Sequence, residues 1–141
     1  MIVSTKGRYA LRVMIDLAEH STGSPLLLMD IAKRQQISEK YLEGIMAVLS
    51  KHGYVSAQRG RGGGYKLTRA PEDYPVGGIL RLIEGSLAPV SCLENPVNTC
   101  ARAAECPTLP MWTKLNRLIN DYLDSVTLAD LLAETGDNYV I

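Results

Sequence analysis

The chain has 141 residues, of which 46% are hydrophobic and 21% are charged, and its formal net charge is zero. This composition excludes a disordered or fibrous chain, and the length allows one ordinary domain with a few additional elements. No apolar run reaches the roughly eighteen residues of a membrane-spanning helix, and the N-terminus lacks the apolar segment of a secretory signal. We therefore expect a cytoplasmic protein that does not enter a membrane.

The zero net charge conceals an uneven distribution. Residues 1–69 contain eleven Lys and Arg against five Asp and Glu, whereas residues 70–141 contain four against ten. The balance is therefore +6 in the first part and −6 in the second. This split indicates an N-terminal part that approaches a polyanion. The alternative is that the charged side chains only solvate the surface, and that their uneven distribution has no role in binding.

Two helices are predicted at the start of the chain. A wide apolar face predicts the first over residues 5–20, with a stripe formed by Tyr9, Val13 and Leu17. The Ser-Thr-Gly-Ser-Pro sequence of residues 21–25 ends it. A short second helix follows near residues 28–35, with Ile31 and Ala32 facing inward.

A third helix follows after a tight connection. Ser38 is a suitable N-cap, Glu39 suits the positive end of the helix dipole, and Gly53 ends the helix. One face is apolar at helical spacing, through Leu42, Ile45, Met46 and Leu49. Two helices joined in this way, the second with a polar exposed face, predict a helix-turn-helix.

A basic β-hairpin is predicted next. Residues 54–58 and 65–68 form two short strands, with Val55 and Ala57 alternating against polar neighbours. The tip between them, Arg-Gly-Arg-Gly-Gly-Gly, carries the guanidinium groups of Arg59 and Arg61. The glycines lead into a strand and not into a helix, which disfavours a nucleotide-phosphate loop. A helix-turn-helix followed by such a hairpin predicts a winged helix.

All three cysteines of the chain lie in one segment. After an apolar helical face that ends at Gly85, residues 86–107 show no periodicity and contain Cys92, Cys100 and Cys106. An odd number of clustered thiols in a reducing compartment indicates metal or thiol chemistry and not a disulfide framework. The cysteines lack the close pairing of structural zinc sites, which disfavours structural zinc.

The C-terminal part carries a heptad-like seam. Apolar residues spaced by 3, 4, 3 and 4 predict a long helix with a face for a twin helix from a second subunit, formed by Trp112, Leu115, Ile119, Tyr122 and Val126. The alternative is that this face covers the same chain's core. Thr127 is a suitable cap for a final short helix that contains Leu128, Leu131 and Leu132.

Several motifs together resemble the Rrf-two family of bacterial winged-helix regulators. They are the opening Ser-Thr-Lys-Gly-Arg-Tyr-Ala of residues 4–10, Ile-Ser-Glu-Lys-Tyr-Leu-Glu of residues 37–43, and the Arg-Gly-Arg-Gly-Gly-Gly-Tyr wing of residues 59–65. Within the family the chain most resembles the iron–sulfur cluster regulators. The resemblance implies a homodimeric transcription factor that binds palindromic double-stranded promoter DNA. In many members it also implies a cluster on three cysteines.

The resemblance places the cluster on Cys92, Cys100 and Cys106, and we expect [2Fe–2S] in preference to [4Fe–4S]. Seven residues separate the first two cysteines, where the family pattern usually has five. The fourth ligand is unassigned, because Leu109 stands where the iron–sulfur cluster regulators have a histidine. Arg8 stands where related members have a carboxylate. The remaining candidates are Glu94, Glu105 and His20.

For DNA contact, the resemblance places Glu43 at the position that acts on base selectivity, where a carboxylate can accept from a cytosine amino group. The expected contacts are Ser38, Lys40, Tyr41 and Glu43 from the helix, and Arg59 and Arg61 from the hairpin. Tyr41 can equally be a core residue. An enzyme is not expected, because only His20 and His52 are available as bases and no oxyanion or phosphate motif accompanies them.

The predicted organisation is mainly α-helical with a small β-hairpin. Residues 1–70 form the winged helix-turn-helix DNA-binding region, residues 71–87 a linker helix and residues 88–107 the cysteine loop. Residues 108–134 form the dimerisation helix and a short C-terminal helix, and residues 135–141 a tail. The predicted function is a transcriptional repressor whose operator affinity an iron–sulfur cluster controls. The alternative is control by thiol redox state, zinc or a protein partner.

Overall fold

The structure is a computed structural model that describes the backbone of residues 3–137 and the side chains of residues 3–134. As predicted, this part of the chain is mainly α-helical with one antiparallel hairpin. None of its helices is long and apolar enough to cross a membrane. In chain order the elements are α1 (Thr5–Glu19), α2 (Leu28–Gln35), α3 (Glu39–Lys51), β1 (Val55–Gln58), β2 (Gly64–Leu67), α4 (Val76–Glu84), α5 (Leu109–Ser125) and α6 (Leu128–Asp137).

The main core lies between the first three helices, as their periodicity predicts. Ser4 caps α1 by accepting a hydrogen bond from the backbone N–H of Gly7 at 3.1 Å. Tyr9 is only partly buried and packs at the edge of this core. Each large apolar side chain buried there stabilises the fold by about 1.5–3 kcal/mol. The buried side chains include Val13, Met14, Leu17, Ile31, Leu42, Ile45, Met46 and Leu49.

A buried carboxylate joins α1 to α2. Asp16 is 0% exposed and accepts hydrogen bonds from Arg34 Nη2 at 2.7 Å, Arg34 Nε at 3.0 Å and Gln35 Nε2 at 2.8 Å. The hydrogen bond to Asp16 raises the pKa of the Arg34 guanidinium above its ordinary value. Arg12 donates from the surface to the Gln35 side chain at 3.1 Å. This network fixes how α2 lies on α1, and therefore where the next helix begins.

The hairpin pairs with Val55 opposite Leu67 and Gln58 opposite Gly64. Strand β1 begins one residue later than predicted, and β2 lies one residue earlier. Val55 is buried as expected, but Ala57 is exposed. The alternation of buried and exposed residues therefore holds only at the base, because the tip projects away from the core.

A buried tyrosine ties the base of the hairpin to the rest of the chain. The hydroxyl of Tyr74 donates to the Tyr54 carbonyl oxygen at 2.8 Å. It accepts from the backbone N–H groups of Thr68 at 2.9 Å and Arg69 at 3.1 Å. The Tyr74 carbonyl oxygen accepts from the N–H of Leu128 at 3.1 Å. One side chain and its backbone therefore connect the hairpin with the start of α6.

A second, smaller core joins α4 to the C-terminal helices. Its buried members are Val76, Leu80 and Leu87, and side chains from beyond the cysteine loop pack against them. Arg81 strengthens the α4–α5 contact by donating to Asn120 Oδ1 at 2.9 Å and to Asp124 Oδ2 at 2.7 Å. Helix α5 is thus attached to the winged helix through α4. The packed side chains are Ile119, Leu123, Val126 and Leu131.

Helix α6 returns the chain to the main core. The predicted cap is confirmed, because Thr127 Oγ1 accepts from the N–H of Asp130 at 3.2 Å. Asp130 Oδ2 in turn accepts from the N–H of Thr127 at 2.9 Å. Leu128 is fully buried in the main core. The helix runs to Asp137, and residues 138–141 of the predicted tail lie outside the described range.

Candidate nucleic-acid interface and cysteine loop

The turn between α2 and α3 sets the angle of the two helices. Gln36 has a left-handed φ of 55°. Ile37 follows, is buried, and donates its N–H to the Ala32 carbonyl oxygen at 3.1 Å. The Ser38 hydroxyl then caps α3 by accepting from the N–H of Tyr41 at 3.1 Å. These contacts form the predicted helix-turn-helix.

The outward face of α3 is polar and open to solvent. The side chains predicted to contact nucleic acid from this helix are all exposed and lie at its N-terminal end: Ser38, Lys40, Tyr41 and Glu43. The Ser38 oxygen accepts the capping hydrogen bond, so its own hydroxyl hydrogen remains able to donate to a ligand. A helix end of this kind, presented beyond a tight turn, suits insertion into the major groove of DNA.

Tyr41 lies at the surface and is held in place by α1. Its ring packs edge-on against Tyr9, with ring centroids 5.7 Å apart and an interplanar angle of 75°. The guanidinium of Arg12 lies 5.1 Å from the centre of the Tyr9 ring. Since Tyr41 is 41% exposed, its orientation is fixed by an aromatic contact while its outer edge remains accessible.

The hairpin tip presents two unpaired cations. Arg59 and Arg61 are exposed, and neither has an ion-pair partner in the described part of the chain. Gly60 and Gly62 have φ values of 89° and 77°, which other residues rarely adopt. A side chain at Gly63 would collide with the backbone carbonyl of Gln58. The glycines are therefore needed for the tight tip that carries the arginines.

The cysteines lie in the connection between α4 and α5. The connection is irregular, as predicted, apart from two single 3₁₀ turns. Cys100 is exposed, and Cys92 and Cys106 are partly exposed. All three are free thiols, so each is available to a metal ion, an oxidant or an alkylating reagent.

The three cysteine thiols are the right kind of ligand for an iron–sulfur cluster, because such clusters prefer thiolates and none of the three thiols is buried in the core. The number of thiols is one too few, since a cluster normally takes four protein ligands. Among the described side chains of residues 3–134, no three from Cys, His, Asp or Glu stand together where they could hold a metal ion. Joint ligation by the thiols therefore requires the loop to rearrange.

The structure does not supply the missing ligand. Glu94 and Glu105 are exposed in the loop. His20 lies at the end of α1 with its Nδ1 3.0 Å from the Asp16 carbonyl oxygen. Leu109, where a histidine would be expected, is the first residue of α5 and has no donor atom. The fourth position stays open to a loop carboxylate or to an exchangeable small molecule.

Cys106 differs from the other two thiols. Its Sγ lies 3.4 Å from the Thr108 hydroxyl. Hydrogen bonds from the side chain and backbone of Thr108, with a smaller contribution from the charge of Arg102, lower the pKa of the Cys106 thiol below its usual value. The thiolate is the form that binds metals and reacts with oxidants, so this cysteine is prepared for both reactions.

The loop begins where α4 meets the N-terminus of α1. Glu84 Oε1 accepts from the N–H of Ser4 at 3.0 Å and from the Ser4 hydroxyl at 2.5 Å. A side chain at Gly7 would collide with the Glu84 carboxylate. Gly85, with φ of 85°, ends α4 directly after this contact. The last residue of the helix that leads into the loop is thus bonded to the cap of the helix that supports Tyr41.

Helix α5 exposes an apolar stripe that only partly matches the predicted seam. Ile119 and Val126 pack on the smaller core, and Val126 lies just beyond the helix. Trp112 is partly buried. The predicted seam therefore straddles two faces of the helix. The side chains open to solvent are Met111 (54%), Leu115 (37%), Leu118 (57%) and Tyr122 (67%).

Known proteins resemble this chain over most of its length. Residues 3–134 match the family described as "Rrf2: Iron-dependent Transcriptional regulator". The protein rrf2 of Nitratidesulfovibrio vulgaris is 41% identical over 137 residues, which is 96% of this chain and 90% of that protein.

Two solved structures share the fold. The structure of T. potens IscR is 40% identical with a TM-score of 0.73, covering 96% of this chain and 88% of that one. CymR (YrzC), the global cysteine regulator of B. subtilis, is 34% identical with a TM-score of 0.77, covering 95% and 98%. The chain belongs to the Rrf2 family of winged-helix transcriptional regulators.

Proposed function

We propose that the chain is a homodimeric repressor that binds palindromic promoter DNA and whose operator affinity is controlled by an iron–sulfur cluster on Cys92, Cys100 and Cys106. The observation that carries the proposal is that three free, accessible thiols occupy the connection between the winged helix and α5. The protein would act in the cytoplasm, where thiols stay reduced, and we assign it no catalytic role.

In this proposal, residues 1–70 contact the DNA. Lys40 and the Ser38 hydroxyl donate to phosphates or base edges, and Tyr41 lies beside them. The Glu43 carboxylate accepts from a cytosine amino group and repels phosphate, so it acts on sequence choice more than on affinity. Arg59 and Arg61 enter the adjacent minor groove or pair with its phosphates.

Replacing Arg61 by alanine tests the hairpin contact. We expect weaker binding to all duplexes, and a plot of log affinity against log salt concentration whose slope is smaller by about 1, because one fewer counterion is released. The measurement is a salt titration of operator binding by fluorescence anisotropy. Lys51→Ala, which removes an exposed cation at the far end of α3, is the matched control for charge. An unchanged slope in Arg61→Ala would remove this residue from the interface.

The sensing step uses residues 88–107. A bound cluster would hold the three thiolates at fixed distances through iron. The chain's own part is to transmit the resulting loop position. At one end, Glu84 bonds to Ser4 at the cap of α1, and α1 contacts Tyr41 through Tyr9. At the other end, the loop leads into α5. A change in the loop therefore alters the spacing of the two α3 helices in the proposed dimer, which must match half-sites about one DNA turn apart.

A thiol switch without a cluster is the second candidate. It is favoured by the absence of an assembled metal site among the side chains that the structure describes, residues 3–134, and by the lowered pKa of the Cys106 thiol. The structural likeness to a global cysteine regulator supports it as well. Zinc binding and control by a partner protein are further alternatives.

Anaerobic purification and reconstitution with iron and sulfide separate these candidates. We expect a brown protein whose iron and sulfide are lost in each of the variants Cys92→Ser, Cys100→Ser and Cys106→Ser, and whose operator affinity differs from that of the cluster-free form. Ser91→Ala, beside the first cysteine, is the matched control and should keep the colour. A colourless protein with three titratable thiols whose operator affinity changes on oxidation would support the thiol switch. Equal affinity with and without the cluster would defeat control by the cluster.

A further inference from the structure

A groove of about 560 Å³ runs between α3 and the hairpin. Glu39 and Glu43 line it on the α3 side, and Arg59 lines it on the hairpin side. Its floor is apolar, formed by Leu27 and Met29 at the start of α2, which are 49% and 48% exposed. Two large apolar side chains, each about half exposed, thus open onto a groove that also carries three charged side chains.

Local stability does not explain Leu27. It occupies the N-cap position of α2, where its side chain makes no capping hydrogen bond. Serine or threonine is strongly preferred there. Asp30 follows three residues later, the same spacing that Thr127 and Asp130 use to cap α6. A serine at position 27 would complete such a capping box, yet the chain carries a half-exposed leucine. Departures of this kind from local preference are expected at functional sites.

DNA geometry identifies what lies over the groove. A helix in the major groove and a hairpin tip in the adjacent minor groove are separated by one sugar–phosphate strand. That strand must pass between α3 and Arg59, directly above Leu27 and Met29. Building on the proposed function, we propose that these two side chains pack against the deoxyribose carbons of this strand and form an apolar saddle for the DNA backbone.

The charges that line the groove would set the orientation of this occupant. Glu39 and Glu43 repel phosphate on one side, and Arg59 attracts it on the other, so the phosphates turn toward the hairpin. The sugar edges then face the floor of the groove. Contacts between alkyl side chains and deoxyribose neutralise no charge and read no base edge. They therefore add affinity that depends neither on salt nor on sequence.

The test compares Leu27→Ser, Met29→Gln and the double variant with the unaltered protein. The probes are an operator duplex selected in vitro and a scrambled duplex of the same length. We expect each single change to weaken binding about three- to tenfold, and the double variant more, by the same factor on both duplexes. The slope of log affinity against log salt should stay the same, in contrast to Arg61→Ala.

Thermal melting accompanies the binding data. Leu27→Ser should melt no lower than the unaltered protein, because the new cap favours α2. Leu27→Thr serves as a second capping variant. Unchanged affinity in the double variant would overturn the inference, as would a loss confined to the operator, which would indicate base contact, or a smaller salt slope. If the unaltered protein bound neither duplex, the proposed DNA-binding function itself would fail.

Discussion

Replacing Arg34 by alanine is expected to lower the free energy of unfolding by about 3 kcal/mol, the lower end of the cost of leaving a buried charge without its partner, because Asp16 is buried but the Arg34 side chain is 32% exposed. Asp16 is 0% exposed, and Arg34 supplies three of the side-chain hydrogen bonds to its carboxylate, at 2.7, 3.0 and 3.3 Å. Only Gln35 Nε2 at 2.8 Å and, more distantly, His20 Nδ1 at 3.7 Å would remain beside the carboxylate among the described residues. This site helps to fix α2 against α1, together with the buried side chain of Ile31.

Arg12→Ala is the matched control. Arg12 also donates to Gln35 and lies over the Tyr9 ring, but it is exposed and pairs with no carboxylate in the described residues. Its loss should cost no more than about 1 kcal/mol. Urea unfolding at one fixed protein concentration measures both variants, since the stability of the proposed dimer would depend on concentration. Similar small losses in the two variants would show that Asp16 does not depend on Arg34.

Periodicity was sufficient to predict the N-terminal helices. The apolar residues of α3 recur at helical spacing, Ser38 marks its start and Gly53 its end, and each of these signals is local. The hairpin was predictable for the same reason, because two arginines in a run of glycines between short strands are a local pattern. The fold class and the positions of the proposed DNA contacts therefore followed from the sequence.

The contacts that hold these elements together were not predictable. Asp16 is an acid on a helix whose neighbours Val13 and Leu17 face the core, and this departure from the apolar pattern was the available signal. Its partner Arg34 could not be identified, because the pairing depends on how two helices pack. The same holds for Tyr74. Its hydroxyl hydrogen-bonds to the backbone at the base of the hairpin, at Thr68 and at Tyr54, which are 6 and 20 residues away in sequence.

The cysteine loop shows a different limit of prediction from sequence. The clustering of Cys92, Cys100 and Cys106 is visible in the sequence, and their role as ligands stays a prediction. Spacing along a loop does not determine which side chains meet, since an irregular segment has no period that fixes their directions. The effect of Thr108 on the Cys106 thiol is likewise a matter of local geometry, visible only once the start of α5 is placed.

The heptad pattern of α5 combined residues from two different faces of the helix. The helix has apolar residues on two adjacent faces, and the predicted spacing runs along their boundary. Ile119 belongs to the face that packs on α4, whereas Leu115 and Tyr122 belong to the open face. Leu118, which the predicted seam omitted, lies at the centre of the open face between Met111 and Tyr122. We propose this open stripe as the surface that meets a second copy.

Replacing Leu118 by glutamate is therefore expected to dissociate the dimer. In a two-fold interface the change places two carboxylates close together in an apolar seam, where both desolvation and repulsion oppose association. Operator affinity should fall by at least about 100-fold, because each half-site must then be bound without the benefit of linkage to the other. Analytical ultracentrifugation reports the association state, and fluorescence anisotropy on a palindromic duplex reports the affinity.

Arg117→Glu is the matched control, since it changes the charge of the same helix by more than Leu118→Glu does. Arg117 is exposed and lies on the far side of α5 from the apolar stripe. This variant should remain a dimer, and its binding to a single half-site should equal that of Leu118→Glu within the small effect of surface charge. A Leu118→Glu protein that stayed dimeric and kept its operator affinity would show that the interface lies elsewhere. Helix α5 would then not connect the cysteine loop to the dimer interface.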